Sequence, residues 1–280
     1  MEENRVIVQK DRDNCACNRV PNKSRKSFWG LSCKLHFKWL LPLLAMGIFT
    51  PFSPMIDNRV AAFFYTPAQM GQGHFFDCCF THFLYLYGEQ IGRATGVMAL
   101  MIYLLSWPVS KLIKWRRAVL VCGLTLALGT GLLTNLVLKE YWGRPRPKQV
   151  VEYGGKHTFR PFYHPDFHTR HDPQKSFPSG HVSMGFYYLS LCLAGRRYGS
   201  RLLFLLGLFL TTLFGGGLMF ARVAQGGHFL SDVLMAALIM WWTALFCDWL
   251  VFTRGAFGVL GGPDPIPLGT SPEPDQRQTV

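Results

Sequence analysis

The stretch Arg222-Val-Ala-Gln-Gly-Gly-His228-Phe-Leu-Ser-Asp232 leads into a long apolar run at residues 229–253. If that run is a helix, His228 and Asp232 lie four residues apart on one of its faces. Asp232 can then accept a proton from one ring nitrogen of His228, which leaves the other nitrogen as a nucleophilic lone pair. Arg222 lies beyond a Gly-Gly bend and can fold back over whatever His228 attacks. A simpler interpretation is an interfacial helix cap, with Asp232 near the positive end of the helix dipole.

The composition indicates a membrane protein. Of 280 residues, 49% are hydrophobic and 15% aromatic, while only 16% are charged. A net charge of +13 would suggest nucleic-acid binding in a soluble protein. Here the basic residues are mostly in the loops between apolar runs, so membrane topology and lipid binding explain them better. We therefore expect lipid partners and no nucleic acid.

Six apolar runs, most of them near the ~20 residues that a bilayer core requires, organise the chain. They cover residues 39–56, 80–107, 118–138, 179–195, 202–221 and 229–253. They predict an all-α membrane protein: a six-transmembrane-helix bundle with an outer loop over the active site. We expect one membrane domain at 39–253, a basic and largely disordered cytoplasmic tail at 1–38, and a Pro/Gly-rich C-terminal tail at 254–280.

The distribution of Lys and Arg predicts the orientation. Eighteen of the 29 lie in the N-terminal tail, in residues 111–117 and 196–201 and in the C-terminal segment, all on one side of the predicted bundle. The positive-inside rule places this side, with both termini, in the cytoplasm. Most of the other basic residues lie in residues 139–175 and at Arg222. An anionic ligand outside the membrane would account for that concentration of charge.

Two further segments carry chemistry at the same predicted membrane face. Lys139-Glu-Tyr-Trp-Gly-Arg144-Pro-Arg146-Pro147 leaves the third run with cations that suit phosphate oxygens. The alternative is snorkelling of these cations within an aromatic belt at the membrane interface. Pro178-Ser179-Gly180-His181 opens the fourth run, where Ser179 can cap a helix whose N–H groups bind an anion. His181 follows at a position suited to protonating a leaving oxygen.

The three segments together resemble the type 2 phosphatidic acid phosphatase superfamily, in its bacterial membrane branch. The resemblance rests on Lys-x6-Arg-Pro (139–147), Pro-Ser-Gly-His (178–181) and Arg-x5-His-x3-Asp (222–232), in this order. One departure is Ala221, where the family often has serine. The six spans argue against the haloperoxidases of the same superfamily.

The resemblance implies a role for each matching residue. His228 would be the nucleophile and form a phosphohistidine, Asp232 would orient it, and His181 would be the general acid. The phosphate oxygens would be held by Lys139, Arg146, Ser179, Gly180 and Arg222. No cofactor is implied, because cations can neutralise a phosphoryl group without a metal.

The predicted outer loop allows a competing metal-site hypothesis. Its histidines are His157, His164, His168 and His171, and the last three could chelate a metal from a helix. Prolines at 161, 165 and 173 make such a helix doubtful. We therefore expect no metal. We expect headgroup or anionic-lipid contacts here instead, with Arg144, Lys156 and Arg160 as candidates.

The segment Glu152-Tyr-Gly-Gly155, followed by Phe159-Arg-Pro161, is similar to the outer loop of bacterial lipid A phosphatases. We therefore expect an inner-membrane phosphatase of a lipid phosphomonoester or diphosphate, lipid A being favoured, with its active site facing the periplasm. Phosphatidylglycerophosphate and undecaprenyl diphosphate are alternative substrates, and transfer to another lipid is an alternative to hydrolysis. A non-enzymatic lipid transporter or binder would need charges along a mid-membrane path, whereas these runs keep most of their charges near the ends.

Overall fold

The computed structural model describes residues 28–67, 73–168, 174–255 and 257–258, with side chains from residue 39 onward. Residues 1–27 of the predicted basic tail, and nearly all of the predicted Pro/Gly-rich C-terminal tail at 254–280, fall outside these residues, whereas residues 28–38 of the predicted basic tail are helical. The chain divides into two compact units, residues 1–45 and 46–280. In the first unit, the described residues belong to helix α1 (Phe28–Phe49).

The second unit is built almost entirely from helices. After a 3₁₀ turn at Thr50–Phe52, the chain forms α2 (Ser53–Phe64), α3 (Cys79–Leu105), α4 (Arg116–Thr125), α5 (Lys139–Tyr141), α6 (Gly180–Phe186), α7 (Leu189–Arg197), α8 (Arg201–Leu210), α9 (Gly217–Ala224) and α10 (Leu230–Asp248). Stretches of π-helix at Leu126–Leu138, Thr211–Gly216 and Trp249–Thr253 follow α4, α8 and α10. Strands β1 (Tyr65–Thr66) and β2 (His74–Phe75) pair antiparallel, with Tyr65 opposite Phe75.

Four helices of the described chain are long and apolar enough to cross a membrane: Trp39–Phe64, Ser110–Tyr141, Arg201–Ala224 and Leu230–Thr253. The predicted run at 80–107 forms α3, which carries Glu89 and Arg93 and is not among these four. The run at 179–195 forms two short helices, α6 and α7, instead of one continuous helix. The helical membrane class is therefore supported, while four candidate spans, not six, meet the length and composition requirement.

The fourth candidate span is the central helix of the second unit. In Leu230–Thr253, 56% of the most apolar window is buried, against 28% in Ser110–Tyr141 and 22% in Arg201–Ala224. Its buried side chains include Val233, Ala236 and Met240. The other helices therefore surround α10, whose first turn contains Asp232.

The outward surface of the helices is apolar, as lipid contact requires. Exposed large side chains include Leu44, Phe63, Leu136, Leu202 and Phe209. Inside the second unit, Gly185 lies against the backbone of Gly215, and a Cβ there would come within 2.5 Å of the Gly215 nitrogen. Small residues thus let α6 approach the neighbouring π-helical stretch closely, as in other membrane helix pairs.

The segment after α5 folds back over one end of the bundle. Trp142 donates its indole N–H to the carbonyl oxygen of Phe162 at 2.6 Å and stacks on Phe177, with ring centroids 4.6 Å apart. The backbone of Ser176 donates to the carbonyl oxygen of Arg144 at 3.0 Å. These contacts bring Ser176, from the end of the segment, beside the start of α10.

Candidate active site

A bend between α9 and α10 carries His228. Gly226 has a φ of +60°, a left-handed conformation that glycine adopts without strain. A Cβ at Gly227 would collide with the guanidinium of Arg222, so this glycine lets the arginine lie against the backbone. The amide of His228 donates to the carbonyl oxygen of Arg222 at 3.1 Å. The Gly-Gly pair thus folds Arg222 back toward His228, as the sequence predicts.

The hydrogen bonding of His228 defines its tautomer. Its Nδ1 lies 2.6 Å from the backbone carbonyl oxygen of Ser176. A carbonyl oxygen can only accept, so Nδ1 carries the hydrogen and Nε2 is left with a lone pair. The predicted direct hydrogen bond to Asp232 does not form, because the nearest carboxylate oxygen lies 3.9 Å from Nδ1. The Ser176 carbonyl oxygen takes that place.

Asp232 is itself tied to Ser176. Its Oδ2 accepts from the Ser176 hydroxyl at 2.6 Å and from the amide of Phe229 at 2.9 Å. One residue therefore offers its hydroxyl to Asp232 and its carbonyl oxygen to His228. This double contact fixes the segment after α5 against the first turn of α10.

A buried cluster of charges lies behind Asp232. The guanidinium of Arg144 is 0% exposed and pairs with Asp232 through Nη1 and with Asp57 of α2 through Nη2, the latter at 2.8 Å. Asp57 also accepts from the amide of Ser231 at 2.8 Å and from its hydroxyl at 2.5 Å. We call Arg144, Asp57, Asp232 and Ser231 the Arg144 cluster.

The location of Arg144 corrects one prediction. The sequence suggests a headgroup contact, yet the side chain is fully buried and its Nε donates to the carbonyl oxygen of Arg160 at 2.8 Å. A side chain enclosed in this way has no surface for a headgroup, so Arg144 is removed from that set. Arg160 donates to the carbonyl oxygen of Gly143 at 2.9 Å and pairs with Asp166, while Lys156 is exposed.

The predicted phosphate-binding cations surround His228 and His181. Lys139, Arg146 and Arg222 are close enough to both histidines to act on them electrostatically. The Nζ of Lys139 lies 3.3 Å from where a Cβ on Gly180 would stand. Ser179 caps α6, its hydroxyl accepting from the amide of Val182 at 3.5 Å. The structure therefore brings the three motifs of the sequence into one place.

Arg222 keeps part of its hydrogen-bonding capacity unused. Its side chain is 95% buried, Nη1 donates to Gln225 at 3.1 Å, and the guanidinium lies over the ring of Tyr85 at 4.7 Å. The buried Nε has no hydrogen-bond partner among the described residues. An unpaired buried donor is costly, so this nitrogen suits an anionic ligand that restores its hydrogen bond.

The electrostatic surroundings keep His228 neutral. Burial, followed by the nearby Arg222, Arg146 and Lys139, lowers the pKa of His228 well below its ordinary value. A neutral imidazole with a free Nε2 is the form required of a nucleophile. Protonation in mild acid therefore does not remove that lone pair.

His181 has a partner that the sequence analysis did not assign. Its Nε2 lies 3.0 Å from Oε2 of Glu89 on α3, and its ring stacks on Tyr85 with centroids 5.2 Å apart. Both Glu89 and Asp57 are carboxylates within or beside apolar runs, which is itself a functional signal. Their partners lie 92 and 87 positions away, respectively, so spacing along the chain does not reveal them.

A cavity of about 750 Å³ opens beside the cations. Its lining combines cations, aromatic rings and polar groups: Arg146, Lys148, Arg222, Tyr65, Phe75, Tyr85, Tyr153, Asp77, His82, Gln225, Gly73 and Gly154. Burial and the neighbouring Arg146 and Arg222 lower the pKa of Lys148. A cavity of this size holds a ligand much larger than a bare phosphate.

The described residues contain no group of three or more His, Cys, Asp or Glu placed to hold a metal ion. His164 lies in a bend and His168 in a turn, so a chelating helix does not form there. His171 lies outside the described residues.

Comparison with known proteins gives two kinds of match. Residues 118–256 match the PAP2 superfamily. The chain is 30% identical over 208 residues to a protein of Francisella tularensis subsp. novicida described as lipid A 4'-phosphatase, covering 73% of this chain and 88% of that protein. It is also 61% identical over 31 residues to a Rhizobium leguminosarum protein of the same description, covering 11% of this chain and 13% of that protein. No solved structure matches the chain significantly.

The Arg144 cluster predicts a large stability effect for Asp57→Asn. The substitution keeps the side-chain shape but removes one of the two carboxylates that balance a buried guanidinium. Breaking such a buried pair costs about 3–5 kcal/mol. We expect a clearly lower thermal unfolding midpoint of the purified protein in detergent, measured by circular dichroism.

Glu140→Gln is the matched control for this measurement. Glu140 pairs with Lys175, but both side chains are more than a third exposed. An exposed pair contributes only about 0–1 kcal/mol, so its midpoint should stay near that of the parent protein. Equal midpoints for the Asp57 and Glu140 variants would contradict a structural role for the Arg144 cluster.

Proposed function

The chain belongs to the PAP2 superfamily, and from this membership we propose that it removes phosphate from a membrane lipid through a phosphohistidine on His228. The protein is a lipid phosphatase of a bacterial membrane. One observation carries the mechanism: the free Nε2 of a neutral His228 lies among Lys139, Arg146 and Arg222, with His181 nearby. This arrangement combines a nucleophile, an anion-binding surface and a proton donor.

In the first step, the Nε2 lone pair of His228 attacks phosphorus, and the bond between phosphorus and the lipid oxygen breaks. The Nδ1 hydrogen stays on His228 and remains donated to the Ser176 carbonyl oxygen, and Asp232 stabilises the developing positive charge on the ring from 3.9 Å. His181 gives a proton to the departing lipid oxygen, so a neutral alcohol leaves. Without that proton the lipid would leave as an alkoxide.

In the second step, water attacks the phosphohistidine. His181, now lacking a proton, takes one from the water, and the electron pair of the phosphorus–nitrogen bond returns to Nε2 of His228. Inorganic phosphate is released and both histidines regain their starting states. The same residue thus serves as acid and then as base.

Charge neutralisation comes from the side chains of Lys139, Arg146 and Arg222, with Ser179 and the Gly180 amide completing the phosphate site. A phosphoryl group in transfer carries its charge on the non-bridging oxygens, and fixed cations stabilise it without reorganisation. The unpaired Nε of Arg222 supplies one further hydrogen bond. We therefore propose that the reaction is independent of a metal.

We propose lipid A as the substrate. The Francisella relative described as lipid A 4'-phosphatase aligns with 73% of this chain. The cavity next to the cations supports a large headgroup, because Tyr65, Phe75 and Tyr153 give it an aromatic wall and Lys148 a further positive charge. Lys156 and Arg160 remain candidate contacts to this headgroup or to anionic lipid.

We further propose that α3 and the α6–α7 pair cross the membrane with the four longer helices, which gives six spans and one membrane domain at 39–253. Both tails then lie in the cytoplasm of a bacterium, and the site opens to the periplasm across the inner membrane. The excess of Lys and Arg on the opposite side supports this orientation. The segment after α5 forms the outer loop over the site.

His228→Ala should abolish turnover. Since the variant lacks the nitrogen that takes the phosphoryl group, phosphate release from purified protein should fall to background on a panel of lipid A, phosphatidylglycerophosphate and undecaprenyl diphosphate. The parent protein should be most active on lipid A. Retained phosphate release by the folded variant would contradict the covalent mechanism, and preference for another lipid would reassign the substrate.

Chelators and vanadate distinguish charge neutralisation by side-chain cations from charge neutralisation by a bound metal ion. If side chains supply the positive charge, EDTA should leave activity intact, while vanadate, which mimics the transferred phosphoryl group, should inhibit it. The same phosphate-release assay measures both effects. Loss of activity in EDTA that one divalent ion restores would favour a metal site instead.

Single cysteines test sidedness. In a background without native cysteines, Glu152→Cys lies in the outer loop and Arg196→Cys at the end of α7, both at exposed positions. An impermeant thiol reagent should label the first in intact spheroplasts and the second only after lysis. The reverse pattern would place the site in the cytoplasm.

A further inference from the structure

Glu89 is a carboxylate beside the proposed proton donor. Its Oε2 lies 3.0 Å from Nε2 of His181, and the two side chains are only 24% and 19% exposed. The other carboxylate oxygen pairs with Arg93, one helical turn further along α3. Glu89 is therefore held on one side by Arg93 and directed toward His181 on the other.

This contact assigns the hydrogens of His181. With a carboxylate oxygen 3.0 Å away, Nε2 of His181 is the nitrogen whose hydrogen Glu89 stabilises. The nitrogen left to exchange a proton with substrate is Nδ1. A histidine that gives a proton to the lipid oxygen from Nδ1 starts as an imidazolium and ends neutral, with the Nε2 hydrogen unchanged.

The charges around His181 make that imidazolium difficult to form. Burial of the ring, together with Arg222, Lys139 and Arg146, opposes a positive charge on His181, while Glu89 favours it. The stacked Tyr85 adds no negative charge in its neutral form, and its ring also lies under the guanidinium of Arg222. Among the groups found to act electrostatically on His181, Glu89 is the one whose negative charge offsets the three cations that are proposed to bind phosphate.

We propose that Glu89 is a positioning residue for His181: it holds the ring and stabilises its protonated form for release of the lipid. The proposal rests on the proposed function, in which His181 protonates the leaving oxygen while the bond from phosphorus to that oxygen breaks. Glu89 gives no proton to the substrate. The Nε2 hydrogen stays on His181 throughout, and Glu89 stabilises the positive charge that His181 loses in the first step and regains in the second.

Leaving-group chemistry tests this role. An alkyl phosphate needs a protonated leaving oxygen, whereas 4-nitrophenolate leaves without one. Glu89→Gln should therefore lower kcat for a short-chain alkyl phosphate by roughly 10²-fold, within the usual contribution of a general acid. The loss for 4-nitrophenyl phosphate should be below about tenfold, since that step needs little acid assistance. Exposed Glu152 supplies the control, Glu152→Gln, which should match the parent protein on both substrates.

A double variant shows whether Glu89 acts through His181. If it does, Glu89→Gln combined with His181→Ala should be no slower than His181→Ala alone, because residues that act as a unit are not additive. In Glu89→Gln the pH profile should also lose activity at lower pH than in the parent, since the imidazolium deprotonates more easily. Equal losses on both phosphates, or additive losses in the double variant, would overturn the proposal.

Glu89→Asp keeps the experiment decisive if the Gln variant does not fold. Glu89→Asp retains the carboxylate on a shorter side chain, so we expect an intermediate loss of kcat for the alkyl phosphate alone. Equal losses of kcat on both substrates would count against the proposal. Failure of the parent protein to release phosphate from any lipid would instead refute the proposed function. The two failures are therefore distinguishable.

Discussion

The structure depends on one buried guanidinium. Arg144 has no exposed surface and is held between Asp57 and Asp232, so it joins α2, the segment after α5 and the start of α10. A charge in such surroundings is tolerated only with paired, hydrogen-bonded partners, and removing one partner is far more costly than losing a surface pair. The cluster therefore fixes Asp232, which fixes Ser176, whose carbonyl oxygen sets the tautomer of His228. The tautomer of His228, on which its proposed reactivity rests, therefore depends on the burial of Arg144 through Asp232 and Ser176.

Two arginines separated by one proline have opposite roles. Arg144 points into the protein and is fully paired, while Arg146 lines the cavity beside Arg222. The backbone at Arg146 is extended, with φ −80° and ψ 157°. Prolines on both sides of Arg146 stiffen this geometry. A single short segment therefore supplies both a buried, fully paired charge and a charge that lines the cavity.

The sequence could predict the motif residues but not the groups that orient them. Four-residue spacing places Asp232 near His228, yet Ser176 enters from 52 positions away and takes the hydrogen bond. Residue type and spacing give no sign of that contact, because it depends on how the outer segment folds back. The contacts of Glu89 and Asp57 are missed for the same reason, because they too depend on how distant segments fold together. The two carboxylates themselves could have been singled out, since a carboxylate in an apolar run is a functional signal. The fourth apolar run likewise hides the division into α6 and α7, since hydrophobicity alone does not show where a helix ends.

The two buried arginines differ in how completely their guanidinium nitrogens are hydrogen-bonded. Arg144 has partners for all of its guanidinium nitrogens, whereas Arg222 keeps a buried Nε unpaired and Lys139, Arg146 and Arg222 repel one another. Such an arrangement destabilises the protein without ligand, and the proposed binding of phosphate would relieve both the repulsion and the unmet hydrogen bond. Tyr85 connects this anion site to the proton donor, since one ring stacks on His181 and lies under Arg222. The group proposed to bind phosphate and the group proposed to protonate the leaving oxygen are therefore held close together by the same aromatic ring, so in the proposed mechanism a phosphate that reaches Arg222 is presented to His181 in a defined geometry.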